Sequence, residues 1–261
     1  MSDIILSPII DDIVWSYSNL TCFEDCRYRW FMQYITKTEQ EDRFYASFGS
    51  FIHKIIEAYY KKSITKEQMK LMFLKGFKTE VTGFRPSEKI VDSYIQKLLS
   101  YFENFEEFPY EMVAVEDRIY FNINGNSFVS IVDYIGRDTD GGLVIIDNKS
   151  RDLKQRSKRK KPTVYDLMLD DMLKQLYLYS AAVKEKYGDF PKKLCFNCFK
   201  NGAFIEEQFN PDEYQKTIDW AESVIQEIKN VTMNDFYPDM MFFKCMNICG
   251  FSSECCYWQQ R

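Results

Sequence analysis

The chain has 261 residues, which suits one domain with some elaboration. Hydrophobic residues make up 46% of it and aromatic residues 17%, which is enough for a substantial core and argues against disorder over most of the length. The net charge of −5 argues against a generally basic nucleic-acid coat protein, although an acidic enzyme can still carry a local positive surface.

The N-terminus lacks a charged segment followed by an apolar one, and no stretch approaches the roughly 18 uninterrupted apolar residues of a membrane span. We therefore expect a cytoplasmic protein without a membrane partner. The eight cysteines are then not expected to form disulfides. They are Cys22, Cys26, Cys195, Cys198, Cys245, Cys249, Cys255 and Cys256, and all but Cys195 and Cys198 cluster near the two ends of the chain.

Helical spacing of apolar residues dominates the first part of the chain. The segment 18–35 has this spacing with a serine in its N-cap region, which predicts a helix. A second helix is predicted over 47–62, where phenylalanines and isoleucines form the apolar stripe. Further helical patterns cover roughly 65–80 and 87–107.

The period changes after residue 111. Alternating or short apolar runs between Met112 and Asn148, separated by turn sequences, predict three strands. The predicted elements that follow are a helix, two strands, a helix and a cysteine-rich tail, at about 164–187, 193–199, 203–209, 211–230 and 245–256. This order predicts one α/β domain over 1–261, with a central mixed sheet flanked by helices (core about 111–210) and an N-terminal helical elaboration (about 36–110).

Two acidic residues and a lysine end a predicted hairpin. The strand 143–146 is continuously apolar, which is typical of a strand buried on both faces, and it runs into Asp147 and Lys149, which share one face. Asp133 lies on the preceding strand. If the hairpin is symmetric about the turn 138–142, Asp133 is opposite or diagonal to Asp147.

Two carboxylates so placed repel each other unless a cation lies between them. Mg²⁺ or Mn²⁺ is the natural occupant, because both ions prefer oxygen ligands. Such an ion activates water for attack on a phosphodiester, and Lys149 can hold that water or neutralise the phosphate. The alternative is a strand end with solvated charges, since D-x-K is a common pattern. Asp133, Asp147 and Lys149 are thus the candidate catalytic residues.

Five stretches carry a family resemblance, in order along the chain. They are WSYSNLTCFEDCRYRWFMQYI, FGSFIHKIIEAYY, VSIVDYIGRDTDGGLVIIDNKS, QLYLY and the cysteine-rich tail. Together they resemble the RecB/AddB-like exonuclease branch of the PD-(D/E)XK nuclease superfamily, including the CRISPR-adaptation exonucleases that carry an iron–sulfur cluster.

The resemblance implies roles for further residues. It makes His53 a metal ligand beside Asp133 and Asp147, and Gly49 one turn earlier leaves room for close approach of backbone or substrate. Gln175 and Tyr179 lie on one helix face and would contact DNA near the site. Glu116, which precedes the apolar strand 118–121, is a further candidate for ordering metal-bound water.

A basic run directly follows Lys149. The stretch from Arg151 to Lys161 contains seven basic residues and a single acidic residue, Asp152. A run of this kind is either a solvated loop or a phosphate-binding lid beside the metal site. The candidate DNA-binding residues in it are Arg151, Lys154, Arg156, Lys158, Arg159, Lys160 and Lys161.

The resemblance also implies a cysteine clasp between the chain ends. Cys26 would join Cys245, Cys249 and either Cys255 or Cys256 around a [4Fe–4S] cluster. The spacing departs from the family, with three residues instead of two between the first tail cysteines, so a structural Zn²⁺ remains the alternative. Cys195 and Cys198 lie in a predicted strand and are interpreted as packing residues.

The functional hypothesis is a metal-dependent DNA exonuclease. It would act on single-stranded or resected DNA ends in recombination, repair or replication, together with a helicase or recombination partner. Two alternatives remain. One is a catalytically silent iron–sulfur DNA-binding or scaffold subunit, and the other is an end-processing nuclease of CRISPR adaptation.

Overall fold

The computed structural model describes residues 6–260. In that part of the chain, helices precede the sheet and form its N-terminal elaboration. They are α1 (Leu6–Asp11), α2 (Tyr17–Asp25), α3 (Arg27–Trp30), α4 (Phe44–Tyr60), α5 (Lys66–Glu80) and α6 (Glu88–Glu103), with a π-helical turn at Phe31–Ile35.

The sheet has five strands in sequence order. They are β1 (Glu111–Ile123), β2 (Asn126–Arg137), β3 (Leu143–Lys149), β4 (Lys193–Cys198) and β5 (Ala203–Gln208). Of the four strand pairs that these elements form, β3–β4 is parallel and the others are antiparallel, and α7 (Val164–Tyr187) makes the crossover that a parallel pair requires. The tail contains α8 (Pro211–Lys229), a 3₁₀ turn (Met233–Asp235), α9 (Phe242–Asn247) and α10 (Cys256–Gln259).

Helices cover both faces of this mixed sheet, which confirms the predicted α/β fold class. One core cluster contains Ile145 of β3 and Leu176 of α7, and the other contains Ile146 of β3 and Ile52 of α4. The alternation of Ile145 and Ile146 between the two clusters is the two-residue period of a strand buried on both faces. No described helix has both the length and the apolar character that crossing a bilayer requires.

The hairpin of β2 and β3 has the register that the sequence predicts. Tyr134 pairs with Ile146 and Arg137 with Leu143, so the hairpin is symmetric about its turn. Asp133 and Asp147 therefore flank the last paired residues, where the two strands begin to separate. This register brings both carboxylates to one end of the ladder.

The predicted single helix over 18–35 is wrong at Cys26. This residue has extended backbone angles (φ −167°, ψ 105°), so the segment divides into α2 and α3. The Cys26 thiol accepts a hydrogen bond from the backbone N–H of Arg29 and thereby caps α3. Hydrophobic periodicity continues through the break because both helices pack on the same core cluster.

Candidate active site

Three potential metal ligands converge from three elements. His53 of α4, Glu116 of β1 and Asp133 of β2 each offer a ligand atom, and these atoms lie within 4.8 Å of one another. His53 Nδ1 is 3.3 Å from Asp133 Oδ2. Carboxylate oxygens with one imidazole suit a hard or borderline divalent cation, so this group could hold a metal ion.

Glu116 reaches this group through an unusual backbone conformation. Its φ is +51°, a left-handed value that non-glycine residues rarely adopt inside a strand. The residues on either side remain in register, with Val115 paired to Tyr134 and Asp117 to Val132. Strain of this kind is stored mainly at functional sites, and it costs about 1–3 kcal/mol. Burial, and next the neighbouring Asp133 carboxylate, raise the pKa of Glu116 to about 7.

Asp147 lies beside this group and is almost fully buried. Its Oδ1 accepts a hydrogen bond from Gln175 Nε2 at 3.1 Å. Lys149 Nζ lies 2.7 Å from Oδ2 but without hydrogen-bond geometry, so within the described residues that oxygen lacks a hydrogen-bond donor. A buried carboxylate oxygen in this situation has a free lone pair for an ion or a water molecule.

The two hairpin carboxylates have opposite electrostatic surroundings. Burial raises the pKa of Asp147 to about 6, although nearby Lys149 partly opposes this effect. Burial acts in the same direction on Asp133, but the His53 imidazole and the backbone N–H of Asn148 outweigh it and lower the pKa of this carboxyl. Burial alone would lower the pKa of His53, yet the adjacent Asp133 raises it to about 9.

Gln175 connects the acidic and basic members of the site. Its Oε1 accepts a hydrogen bond from Lys149 Nζ at 2.7 Å, while its Nε2 donates to Asp147 and, at 2.6 Å, to the hydroxyl of Tyr179. Tyr179 is only 8% exposed. The shared helix face of Gln175 and Tyr179 follows the predicted spacing, but the burial of Tyr179 points to a role in orienting Gln175.

Comparison with known proteins identifies the family. The model of the PD-(D/E)XK nuclease superfamily matches residues 14–256, which is nearly the whole chain. The chain belongs to this superfamily. Nucleases of the superfamily use divalent metals, and the His53, Glu116 and Asp133 group is an acidic site able to bind one.

Solved structures agree with this fold. The chain is 12% identical to a candidate exonuclease from Eubacterium rectale. The match covers 96% of this chain and 90% of that one, and the two structures superpose with a TM-score of 0.50. At this identity the likeness shows the fold alone. The protein SSO0001 is 19% identical over 80% of this chain and 95% of its own, but the TM-score of 0.30 is too low to carry an argument. No curated protein matches the sequence.

An open pocket of about 440 Å³ gives access to the candidate metal site. His53, Glu116, Tyr45 and Ser150 are among the residues that line it. Gly49 also lines it, and a Cβ at Gly49 would meet Ser150 Oγ at 3.8 Å, an ordinary contact. Packing within the protein therefore does not require glycine at this position, and any need for it comes from a bound ligand.

The basic segment 151–161 of this PD-(D/E)XK nuclease lies along α7. Arg156 forms ion pairs with Asp170 at 2.7 Å and with Glu207 at 3.2 Å, so its charge is already used within the protein. The segment also contains exposed cations that form no ion pair within residues 6–260, namely Lys158, Arg159, Lys160 and Lys161. Arg151 and Lys154 are also exposed and likewise form no ion pair within these residues, so six of the seven predicted DNA-binding cations of the segment have free charge.

Asp166, which is not among the predicted site residues, anchors the basic segment. Its carboxylate accepts hydrogen bonds from the backbone N–H and the hydroxyl of both Ser157 and Thr163, at 2.6–2.8 Å. These bonds lower the pKa of Asp166 well below its usual range. The sequence signal for this residue is the T-x-x-D spacing of a capping box at Thr163, which also fixes the start of α7.

The cysteines at the two chain ends converge on one small cavity. Cys26, Cys245, Cys249 and Cys255 all line it. Cys256 is exposed, and its Sγ is 3.5 Å from the hydroxyl of Tyr28. Cys255 therefore lines the cavity with the other three cysteines, and Cys256 is not among its lining residues.

The remaining cysteine pair lies in the core. Cys195 and Cys198 are fully buried on β4 and belong to different core clusters, as residues on opposite faces of a strand do. Burial raises the pKa of both thiols. Both features are typical of packing residues rather than of a redox or metal-binding pair.

Proposed function

We propose that this protein is a Mg²⁺- or Mn²⁺-dependent deoxyribonuclease that hydrolyses phosphodiester bonds at DNA ends. The observation that carries the proposal is the convergence of His53, Glu116 and Asp133 within 4.8 Å, beside Asp147 and Lys149. Membership of the PD-(D/E)XK superfamily supports the reaction class.

The donor set fits a divalent cation of this kind. It supplies carboxylate oxygens and one imidazole, and the buried Asp147 carboxylate, whose Oδ2 forms an ion pair with Lys149, lies close enough to raise the pKa of His53. A bound cation would lower the pKa of a water molecule and offset the charge that develops on the phosphate. Asp133 raises the pKa of His53, so we expect a cation that takes the place of the proton on this imidazole to release it on binding.

Lys149 is the proposed electrophilic residue of the chain. Its ammonium group lies 2.7 Å from Asp147 Oδ2 and 2.7 Å from Gln175 Oε1, and these contacts hold it over the end of β3. A positioned cation beside the scissile phosphate stabilises negative charge in the transition state. Gln175 then acts as a positioning residue, because its amide bridges Lys149 and Asp147.

The preference for DNA ends comes from the resemblance of the five ordered motifs to exonucleases. The open pocket and the six cations of the basic segment that form no ion pair within residues 6–260 agree with a polyanionic substrate that must reach the site from outside. A helicase or recombination enzyme that exposes single-stranded ends is the partner that such an activity would need.

We also propose that Cys26, Cys245, Cys249 and Cys255 hold a [4Fe–4S] cluster that joins the two chain ends. All four thiols line one cavity. A single Zn²⁺ held by the same four thiolates is the alternative.

A cleavage assay tests the proposed activity. Linear DNA labelled at either end and covalently closed circular DNA are incubated with Mn²⁺. We expect release of short products from linear DNA, none from closed circles and none without divalent metal. Asp133→Asn should abolish product release, while Asp140→Asn, in the exposed hairpin turn, should leave it unchanged. A folded, metal-loaded protein that cuts none of these substrates would instead be a silent DNA-binding subunit.

A further inference from the structure

The first turns of α7 expose an apolar face. Val164 is 76% exposed, Leu167 58%, Tyr165 48% and Met168 41%. The later part of the same helix is buried almost continuously between Leu176 and Val183. Exposed apolar groups that cluster in this way mark a surface that another molecule covers.

This face leads to the nuclease site. Met168 and Val164 precede Gln175 by seven and eleven residues, which is close to two and three full turns, so all three lie on one side of α7. With a rise of about 1.5 Å per residue, Val164 is about 16 Å from Gln175 along the helix axis. Gln175 itself contacts Asp147 and Lys149.

The basic segment borders the apolar face along its length. Lys154 Nζ lies 3.7 Å above the ring centroid of Tyr165, and Arg151 Nη1 lies 3.9 Å from Met172 Sδ. Asp166 fastens the segment to the start of the helix through Ser157. The free cations at 158–161 then follow directly before α7 begins.

A single nucleic-acid strand matches both properties of this surface. Its phosphates pair with lysine and arginine, and its unpaired bases stack on aromatic and apolar side chains. A duplex offers phosphates but keeps its base faces covered, so the apolar groups would gain nothing from it. The charge of the border and the direction of the face, which ends at Gln175, favour a strand over a protein partner.

We propose that the first three turns of α7, with the segment 151–161 laid beside them, form a track on which single-stranded DNA stacks its bases next to the nuclease site. Tyr165 is the principal stacking side chain, and Met168 extends the track toward Gln175. This inference rests on the proposed nuclease function, because it names the form of the substrate that this function would act on.

Binding measurements on the full-length chain, without added divalent metal, test the track. The fluorescence anisotropy of a short labelled strand, of its duplex and of an abasic strand of equal length reports the three affinities. Tyr165→Ala should weaken single-strand binding by about five- to a hundredfold and leave duplex binding nearly unchanged. The abasic strand should bind the wild type weakly and be insensitive to Tyr165→Ala.

The chain offers a matched control. Tyr120 on β1 is 65% exposed and lies outside this face, so Tyr120→Ala should leave all three affinities unchanged. Met168→Gln provides a second test of the track if Tyr165→Ala does not fold. Equal loss on single strand and duplex, or no loss in either folded variant, would overturn the proposal. So would a dimer in light scattering that Leu167→Lys dissociates, because a second copy would then cover the face.

The outcomes for the track and for the nuclease are separable. If the wild-type protein cuts no DNA but binds single strands in a way that depends on Tyr165, the nuclease proposal is contradicted and the track proposal is supported. If the wild-type protein cuts DNA but its Tyr165→Ala variant binds single strands normally, the nuclease proposal is supported and the track proposal is contradicted.

Discussion

The imidazole Nδ1 of His53 lies 3.3 Å from the carboxylate Oδ2 of Asp133. The same oxygen accepts the backbone N–H of Asn148 at 2.7 Å. One carboxylate therefore joins α4, β2 and β3, which are held in place by two different core clusters. The geometry of the candidate metal site is consequently set by the packing of the whole domain rather than by a flexible loop.

Two substitutions at Glu116 distinguish its backbone strain from its role as a metal ligand. Glu116→Gly and Glu116→Ala should both weaken Mn²⁺ binding in calorimetry, because each removes a carboxylate from the ligand group. The glycine variant should be more stable than the alanine variant by about 1 kcal/mol, since only glycine adopts φ +51° without strain. At an ordinary strand position the order would be reversed. An alanine variant at least as stable as the glycine variant would contradict the strained conformation.

Asp166 should make stability depend on acid pH. Its folded pKa is lowered by hydrogen bonds from Ser157 and Thr163, so its stabilisation is present above the unfolded pKa of about 4 and is lost as the pH falls further. Asp166→Asn should therefore have a lower Tm than wild type at neutral pH. The difference should narrow below about pH 4. A difference in Tm that stays constant down to pH 3 would show that the charge of Asp166 is not involved.

Neighbouring cysteines in the tail should behave differently. Cys255→Ser should abolish bound metal and lower the Tm, because Cys255 lines the cavity shared with Cys26. Cys256→Ser should leave metal content nearly unchanged, since this residue is exposed and outside the cavity. Elemental analysis and visible absorbance after anaerobic purification check both variants. Stoichiometric zinc without iron would exclude the iron–sulfur cluster but leave the proposal that these cysteines bind a metal. Loss of metal in Cys256→Ser but not in Cys255→Ser would contradict the assignment of Cys255 as the ligand.

The free cations of the basic segment should control the salt dependence of DNA binding. Neutralising Arg159, Lys160 and Lys161 to Gln should reduce the slope of log K against log salt on single strands by about 0.7 for each phosphate that the variant no longer neutralises. Arg156→Gln is the control, because Asp170 and Glu207 already neutralise this residue. An unchanged slope in the triple variant would show that the segment is a solvated loop.

The spacing of apolar residues and the turn sequences predicted most of the helices and strands. The helix predicted at 164–187 is α7 with the same bounds, and the hairpin symmetry about residue 140 predicted the register of β2 and β3. These features follow from local signals, namely the capping threonine, the apolar period and the turn sequence. The position of Asp133 next to Asp147 could be inferred for the same reason.

Features that depend on the folded environment could not be read in this way. The extended backbone at Cys26 has no sequence signal, because any residue adopts such angles. The left-handed backbone at Glu116 has none either, because a glutamate rarely adopts it. Both conformations are imposed by the surrounding packing. The meeting of the chain ends was inferred from family resemblance alone, since residues so far apart share no local pattern.

The most direct test of the central claim is the single-turnover cleavage rate of Lys149→Ala on end-labelled DNA with Mn²⁺, with Mn²⁺ affinity measured on the same sample. Lys149 contacts Asp147 and Gln175 but is not one of the three converging ligands. We predict that the rate falls by at least about a hundredfold, as for loss of one positioned transition-state donor, while Mn²⁺ still binds. A folded Lys149→Ala protein that cleaves at nearly the wild-type rate would contradict the assignment of this site as the nuclease centre.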